Sequence, residues 1–175
     1  MFSFFKYIIQ RLLRFQAELV LKKYHPRIIA VTGNLGKTSA KDAIYTALAE
    51  GHHVRASEKS FNSEIGVPLT ILGLPNGASN PIRWLENIID GFLLLLVRVD
   101  YPEWLVLEVG ADRPGDIKSV AAWIKTDVVV MTRLPDVPVH VEYFPSPEAL
   151  WEEKVSLIDS LKQGGALVLF NDNRV

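Results

Sequence analysis

The sequence predicts an α/β protein with a doubly wound, mostly parallel sheet. Short apolar runs rich in β-branched residues alternate along the chain with longer segments of helical periodicity. The runs are apolar throughout, which is typical of parallel strands covered by helices on both faces. At 175 residues, the chain is long enough to bury one substantial core.

Residues 1–26 predict an amphipathic basic helix that ends before Pro26, with five lysines and arginines among apolar residues at helical spacing. Two interpretations of this helix stay open. It either packs against a domain or makes peripheral contact with a membrane surface through residues 2–24. The longest uncharged apolar run near the middle of the chain is far shorter than the roughly 18–20 residues of a membrane-spanning helix.

The remaining residues, 27–175, predict one domain in which strands alternate with helices. Strands are predicted at 27–32, 53–57, 104–110, 127–132 and 166–170, the second being the weakest. Helices are predicted at 38–50, 82–99, 116–123 and 147–161, with another beginning just after Asn62 and Glu64. Residues 74–81 are rich in Gly, Pro and Asn and predict a loop.

The net charge of −1 hides an uneven distribution. Residues 1–60 carry ten Lys and Arg against four Asp and Glu, whereas residues 61–175 carry nine against sixteen. A phosphate-binding loop and one basic helix account for the basic part, so nucleic acid is not predicted as a partner. The absence of cysteine excludes disulfides, thiolate metal sites and cysteine nucleophiles. The absence of cysteine suits a cytoplasmic protein. If the first helix contacts a membrane, we expect it to be the inner face of the cell membrane.

The segment "GNLGKTS" predicts a phosphate-binding loop, because it follows the first predicted strand and opens a helix. Its members are Gly33, Asn34, Leu35, Gly36, Lys37, Thr38 and Ser39. The glycines let backbone N–H groups point inward, the helix N-terminus and Lys37 add positive charge, and Thr38 offers a hydroxyl to Mg²⁺. Val31 stands where the general loop has its first glycine, so an ordinary strand-to-helix turn is the alternative.

Other candidate residues lie at predicted strand ends. Glu108 lies in an apolar strand, where a carboxylate is costly unless it meets a cation. It is expected to face the phosphate loop and Mg²⁺ if the strands are neighbours, and an ion pair with Arg113 or a loop lysine is the alternative. His140 and Asp172 follow later strands, with a structural hydrogen bond and a turn as their respective alternatives. Lys154 lies among helix charges that include Glu152 and Glu153, which by themselves predict a solvated face.

The order of these motifs resembles the Mur ligases, ATP-dependent enzymes that form amide bonds in bacterial cell-wall synthesis. The resemblance covers about residues 27–172 and corresponds to the central ATPase domain of that family. "GNLGKTS" satisfies the family's Gly-x-x-Gly-Lys-Thr-Ser/Thr loop, which explains the missing first glycine. The stretches "FNSEIGVPLTIL", "LEVGADRPGDI" and "VHVEYFPSPEALWEEKVSLI" most resemble the branch that adds D-alanyl-D-alanine to UDP-muramoyl tripeptide.

The resemblance implies a role for each matching residue. Lys37 and the Gly33–Ser39 backbone would hold the β- and γ-phosphates of ATP. Thr38 and Glu108 would bind one Mg²⁺ ion, and His140 a second.

Three further residues carry implied roles near the reacting groups. Lys154 matches a family lysine that is often carbamylated, and with Lys37 and His140 it forms the expected catalytic set. Asn62 and Glu64 would border the nucleotide and acyl-phosphate site.

The chain also departs from the family pattern. Residues 132–135 read Thr-Arg-Leu-Pro, where the family usually has Thr-Asn-Ile-Gly before the histidine. The loop that carries His140 is therefore expected to run differently. About 26 residues precede the ATPase pattern and the chain stops at Val175, so the expectation is of a fragment, incomplete at its C-terminus and without a UDP-sugar-binding domain, that forms no amide bonds by itself. The alternatives are a folylpolyglutamate or cyanophycin synthetase type of ligase, or a nucleotide-binding module without catalysis.

Overall fold

Five parallel strands form one sheet in the order β2-β3-β1-β4-β5. The computed structural model describes residues 2–58, 61–133 and 143–171, with side chains from Tyr7 onward. The strands are β1 (Arg27–Thr32), β2 (Val54–Ala56), β3 (Trp104–Glu108), β4 (Thr126–Met131) and β5 (Leu161–Leu169). Every neighbouring pair is parallel, which confirms the predicted fold class.

Six α-helices flank the sheet in the described part of the chain. They are α1 (Phe2–Tyr24), α2 (Lys37–Ala49), α3 (Gly66–Leu72), α4 (Pro81–Leu96), α5 (Asp116–Ala121) and α6 (Pro147–Val155). The predicted helix at 147–161 is instead α6 followed by a 3-10 helix, Ser156–Ser160. Strand β5 begins five residues earlier than predicted, because backbone pairing with β4 through an irregular register draws in the polar and glycine residues that precede the apolar run.

Alternate residues of the inner strands face two separate cores. Ile28 and Ala30 of β1 belong to the larger core, which α1, α3 and α5 cover. Ile29 and Val31 point to the other face, where α2 packs on them through residues such as Ile44. The sheet is therefore doubly wound, and apolar runs without alternation follow from burial on both faces.

Strand β5 departs from this pattern, because it lies at the edge of the described sheet. Its apolar residues Leu167, Val168 and Leu169 are exposed, as is Phe170. Apolar side chains alone do not indicate whether a neighbouring element covers them.

Helix α1 packs into the larger core. Leu13, Ala17 and Val20 are fully buried there. At the end of α1, the Lys23 ammonium donates to three carbonyls near the C-terminus of α4, Leu94, Leu95 and Val97, at 3.1, 2.9 and 2.7 Å. This arrangement favours the packing interpretation of the basic helix, whereas the domain boundary at residue 26 stays a prediction. Among the helices described, none combines the length and apolarity needed to cross a bilayer.

Candidate nucleotide-binding site

The predicted phosphate loop connects β1 to α2 at the carboxyl end of the sheet. Gly33 and Gly36 adopt φ angles of 137° and 80°, a region that favours glycine. A Cβ on Gly33 would overlap the Thr132 hydroxyl beyond the end of β4, whereas one on Gly36 would meet open space. Gly33 is therefore required both by its backbone angle and by the close approach of the next strand.

Part of the loop backbone is held within the protein. The N–H groups of Asn34 and Leu35 donate to the Arg133 carbonyl at 3.1 and 3.2 Å. Helix α2 begins at Lys37, and no side chain caps its N-terminus. Because the first N–H groups of a helix lack intrahelical partners, the start of α2 is the part of the loop that best suits an anion.

Glu108 lies opposite this helix start because β3 pairs directly with β1. Glu108 is in register with Val31, and its Oε2 accepts a hydrogen bond of 3.0 Å from the Thr38 hydroxyl. The carboxylate belongs to a buried residue. The structure thus brings together the two residues expected to bind one Mg²⁺ ion.

The backbone of Glu108 is fixed by a residue that the sequence analysis missed. Ser57, just beyond β2, accepts the Glu108 N–H through its hydroxyl at 3.1 Å. The Ser57 carbonyl in turn accepts a hydrogen bond of 2.6 Å from the buried Lys41 ammonium. The position of Ser57 at the end of the weakest predicted strand could have indicated its role beside Glu108. Nothing in the sequence indicates that Lys41 is buried.

Lys37 lies half-buried at the start of α2. Burial lowers the pKa of its ammonium below the usual lysine value, and the carboxylates of Glu108 and Asp112 oppose that shift. The ammonium also donates to the Asn34 carbonyl at 3.4 Å. Asp112, which the sequence analysis did not single out, therefore contributes negative charge to this site from the segment after β3.

Lys154 is buried in α6 rather than exposed on its surface. Burial is the main cause that lowers the pKa of this lysine to about 8, and the positive charge of Lys37 acts in the same direction. Glu153 and Asp112 oppose the shift. The electrostatic influence of Lys37 on Lys154 connects α6 to the phosphate loop, although more than one hundred residues separate them in the sequence.

Glu153 corrects the expectation of a solvated face, because it is buried. Its carboxylate accepts the backbone N–H groups of Gly115, Ile117 and Lys118 at 2.9, 2.7 and 3.1 Å, at the start of α5. Glu152, by contrast, is exposed as expected. Glu153 therefore fastens α6 to α5 and holds the adjacent Lys154 in the interior.

Asn62 and Glu64 lie in different surroundings. The Asn62 carbonyl accepts the Gly110 N–H at 2.8 Å, which places the segment beside the end of β3. The Glu64 carboxylate accepts hydrogen bonds from Gln10 of α1 and Ser119 of α5. Asn62 thus borders the Glu108 strand end, whereas the contacts of Glu64 join two helices and its role near nucleotide stays a prediction.

The described residues fit a magnesium ion through oxygen donors. A carboxylate and a hydroxyl within hydrogen-bonding distance match the few protein ligands that Mg²⁺ takes beside phosphates and water. Within residues 2–58, 61–133 and 143–171, no three acidic or histidine residues cluster as a ready-made metal site. His140 and Asp172 lie outside these residues, so their expected roles stay predictions.

Comparison with known families agrees with this fold. The Mur ligase middle domain family matches residues 85–175, just over half of the chain. The chain belongs to the Mur ligase family. The matched range begins within α4, so the phosphate loop precedes it.

Two curated relatives carry the same name. The chain is 30% identical over 156 residues to the UDP-N-acetylmuramoyl-tripeptide--D-alanyl-D-alanine ligase of Bacillus subtilis, covering 89% of this chain and 28% of the relative. It is 30% identical over 146 residues to the enzyme of that name in Mycobacterium leprae, covering 83% and 23%. The chain therefore spans about a quarter of the length of these curated relatives.

Solved structures show the same likeness. MurF ligase from Thermotoga maritima, crystallised in complex with ADP, matches with 27% identity and a TM-score of 0.70, covering 94% of this chain and 32% of that one. MurF from Acinetobacter baumannii matches with a TM-score of 0.67 at 18% identity, covering 90% and 29%, which supports the fold alone.

Proposed function

We propose that this chain is the ATP-binding part of a cytoplasmic ligase that joins a carboxylate to an amine through an acyl phosphate. The observation that carries the proposal is the Thr38–Glu108 pair, at 3.0 Å, beside Lys37 at the start of α2. The ADP complex of the Thermotoga maritima relative supports nucleotide as the ligand. Mg²⁺, when bound, would neutralise charge on the phosphates.

Different residues of the chain bind the phosphates and hold Mg²⁺ during phosphoryl transfer. The N–H groups at the start of α2 and the Lys37 ammonium bind the phosphate oxygens and draw negative charge from the γ-phosphate. Thr38 and Glu108 are the residues that would hold Mg²⁺. The terminal phosphoryl group passes to a substrate carboxylate oxygen, and its bond to ADP breaks.

The second half of the reaction uses the acyl phosphate. An amine attacks the carbonyl carbon, a C–N bond forms, the C–O bond to phosphate breaks, and the amine loses a proton. Lys154 lies near Lys37 and has a pKa of about 8, so a substantial fraction is the neutral amine near that pH. Only a neutral amine reacts with CO₂, which makes Lys154 suited to the carbamylation implied by the family resemblance.

The substrates are proposed from the names of the relatives. Both bacterial enzymes carry the name of a ligase that acts on UDP-N-acetylmuramoyl tripeptide and D-alanyl-D-alanine. We therefore propose a peptidoglycan precursor ligase of this type, in which the phosphorylated carboxylate belongs to the muramoyl peptide and the amine to D-alanyl-D-alanine.

Thermal unfolding with and without ATP and Mg²⁺ tests the nucleotide site. At a ligand concentration about 100 times Kd, linkage stabilises the folded chain by about 2.7 kcal/mol, and the Tm rises accordingly. Lys37→Ala should abolish the rise, whereas Lys125→Ala, which removes an exposed lysine after α5, should retain it. An undiminished rise in Lys37→Ala would refute the proposed site.

Glu108→Gln separates the metal from the nucleotide. The amide keeps the size of the side chain but removes the charge that would attract Mg²⁺, so the Mg²⁺-dependent part of ATP binding should weaken while the fold is retained. Titration calorimetry with ATP in Mg²⁺ or in EDTA measures that part. Equal Mg²⁺ dependence in the parent chain and Glu108→Gln would exclude Glu108 as a ligand.

A further inference from the structure

The outer face of α4 is apolar and exposed. Its large side chains recur at helical spacing along a single stripe and are between 42% and 80% exposed. We call the following set the α4 stripe: Ile82, Leu85, Ile89, Phe92, Leu93 and Leu96. A surface helix of a soluble protein normally turns charged residues outward, so this stripe calls for a partner.

The opposite face of α4 is already occupied. Gly91 and Asn87 are buried, and the Asn87 amide donates to the Pro75 carbonyl at 2.8 Å. Gln16 of α1 donates to the Ile88 carbonyl at 2.8 Å, and its side chain lies where a Cβ on Gly91 would be. Helix α4 is thus fixed to α1 on one side, and its stripe is presented on the other.

The layer formed by α1 and α4 is the basic part of an acidic chain. Residues 2–24 carry five Lys and Arg against one Glu, and residues 81–98 carry two against two, which gives this layer a charge of +4. Because the whole chain has a net charge of −1, the remainder carries −5. Arg11 and Lys22 of α1 and Arg98 after α4 are all exposed.

Exposed aromatic and aliphatic side chains accompany these charges on α1. Tyr7, Ile8 and Phe15 are exposed and lie on the same part of the helix surface as Arg11. Apolar and aromatic residues interspersed with basic ones are the composition of protein surfaces that lie in the interface of an anionic membrane.

We propose that the layer of α1 and α4 docks on an anionic lipid surface, with the α4 stripe as its main apolar contact. The membrane contact expected through residues 2–24 is thus proposed to lie mainly on α4, because the apolar residues of α1 that reach the core are unavailable to lipid. The proposed contact is peripheral, at the surface of the bilayer.

Charge favours lipid over a second copy of the chain as the occupant. Two copies joined through this layer would bring two regions of +4 together, whereas an anionic bilayer offers the opposite sign. The acidic residues of α4 limit the attraction at one edge of the stripe, where Asp90 is exposed and Glu86 pairs with Arg83 at 2.8 Å.

Co-sedimentation with vesicles tests the proposal. The parent chain should bind vesicles made of equal parts of phosphatidylcholine and phosphatidylglycerol, and bind pure phosphatidylcholine less. The double variant Ile89→Gln, Leu96→Gln should lower the partition coefficient about tenfold or more, because two large side chains no longer enter the bilayer. The matched control, Tyr45→Gln with Trp151→Gln, alters two exposed aromatic residues elsewhere and should bind like the parent.

A second double variant tests the charge. Arg11→Gln with Lys22→Gln should weaken binding to the mixed vesicles and reduce its sensitivity to salt. All variants should keep the parent Tm and its rise with ATP and Mg²⁺, so a failure of docking is distinct from a failure of the nucleotide site.

Three results would overturn the proposal. The first is that the parent chain does not bind mixed vesicles, and the second is that the stripe variant and its control bind them equally. The third is that the parent chain forms a dimer in analytical ultracentrifugation and binds no vesicles, while the stripe variant is monomeric. The last result would make a second copy the occupant.

Discussion

Replacing Lys154 by methionine should stabilise the folded chain. The side chain is buried, and burial with the repulsion of Lys37 lowers the pKa of its ammonium from the usual 10.5 to about 8. At 1.36 kcal/mol per pKa unit, that difference is a cost of about 3 kcal/mol for the charged form at neutral pH. Lys154→Met keeps a flexible side chain of similar length without the charge, so we expect a gain of about 2–3 kcal/mol.

The gain should depend on pH in a defined direction. Below pH 8, Lys154 is protonated in both the folded and the unfolded chain, so the cost is fully present. Between pH 8 and 10.5 the folded chain releases this proton while the unfolded chain retains it. The free energy of unfolding of the parent chain therefore rises with pH over this interval. The advantage of Lys154→Met should therefore shrink over that interval.

Urea unfolding in CO₂-free buffer at pH 7 and near pH 10 measures both effects. In thermal unfolding at neutral pH, the Tm of Lys154→Met should be about 5–10 °C above that of the parent chain. Lys125→Met, which removes an exposed charge, serves as the control and should change the free energy of unfolding by less than about 0.5 kcal/mol. A destabilised Lys154→Met, or a stability difference that is equal at both pH values, would refute the electrostatic reasoning.

Urea unfolding of five further variants makes three tests of the packing. Glu153→Ala should cost about 2–4 kcal/mol, because three backbone N–H groups lose a charged acceptor, while Glu152→Ala should be nearly neutral. Leu13→Ala should cost about 2–5 kcal/mol if α1 belongs to the core, and a cost near zero would contradict the packing of that helix. Gly33→Ala should be clearly more destabilising than Gly36→Ala, since only the first meets a steric overlap; equal costs would contradict the loop geometry.

Much of the fold was predictable from local patterns. The strand at residues 27–32 was located to the residue, because an apolar β-branched run followed by a glycine loop has few alternatives. The pairing of β1 with β3 was expected only conditionally, and it is this pairing that brings Glu108 to Thr38. Strand order depends on contacts between distant segments, which periodicity does not encode.

The exposure of charged and apolar side chains was less predictable. Glu153 looked like part of a solvated face, yet it is buried because the start of α5 supplies three N–H donors. The α4 segment looked like an ordinary helix, and only the placement of α1 against one of its faces shows that the other is uncovered. Burial depends on the neighbours of a residue in space, so the residue type alone is weak evidence of whether a side chain is buried.

Residue types at fixed local spacing are enough to predict the α/β class, a phosphate loop at residues 33–39 and the resemblance to the Mur ligases. Tertiary packing adds that the charge of Lys37 helps to lower the pKa of Lys154, that Glu153 is buried, and that the basic first helix packs into the core. The physical reason is that charge interactions and desolvation depend on distance and neighbours in space. Those are fixed only when segments far apart in the chain pack together.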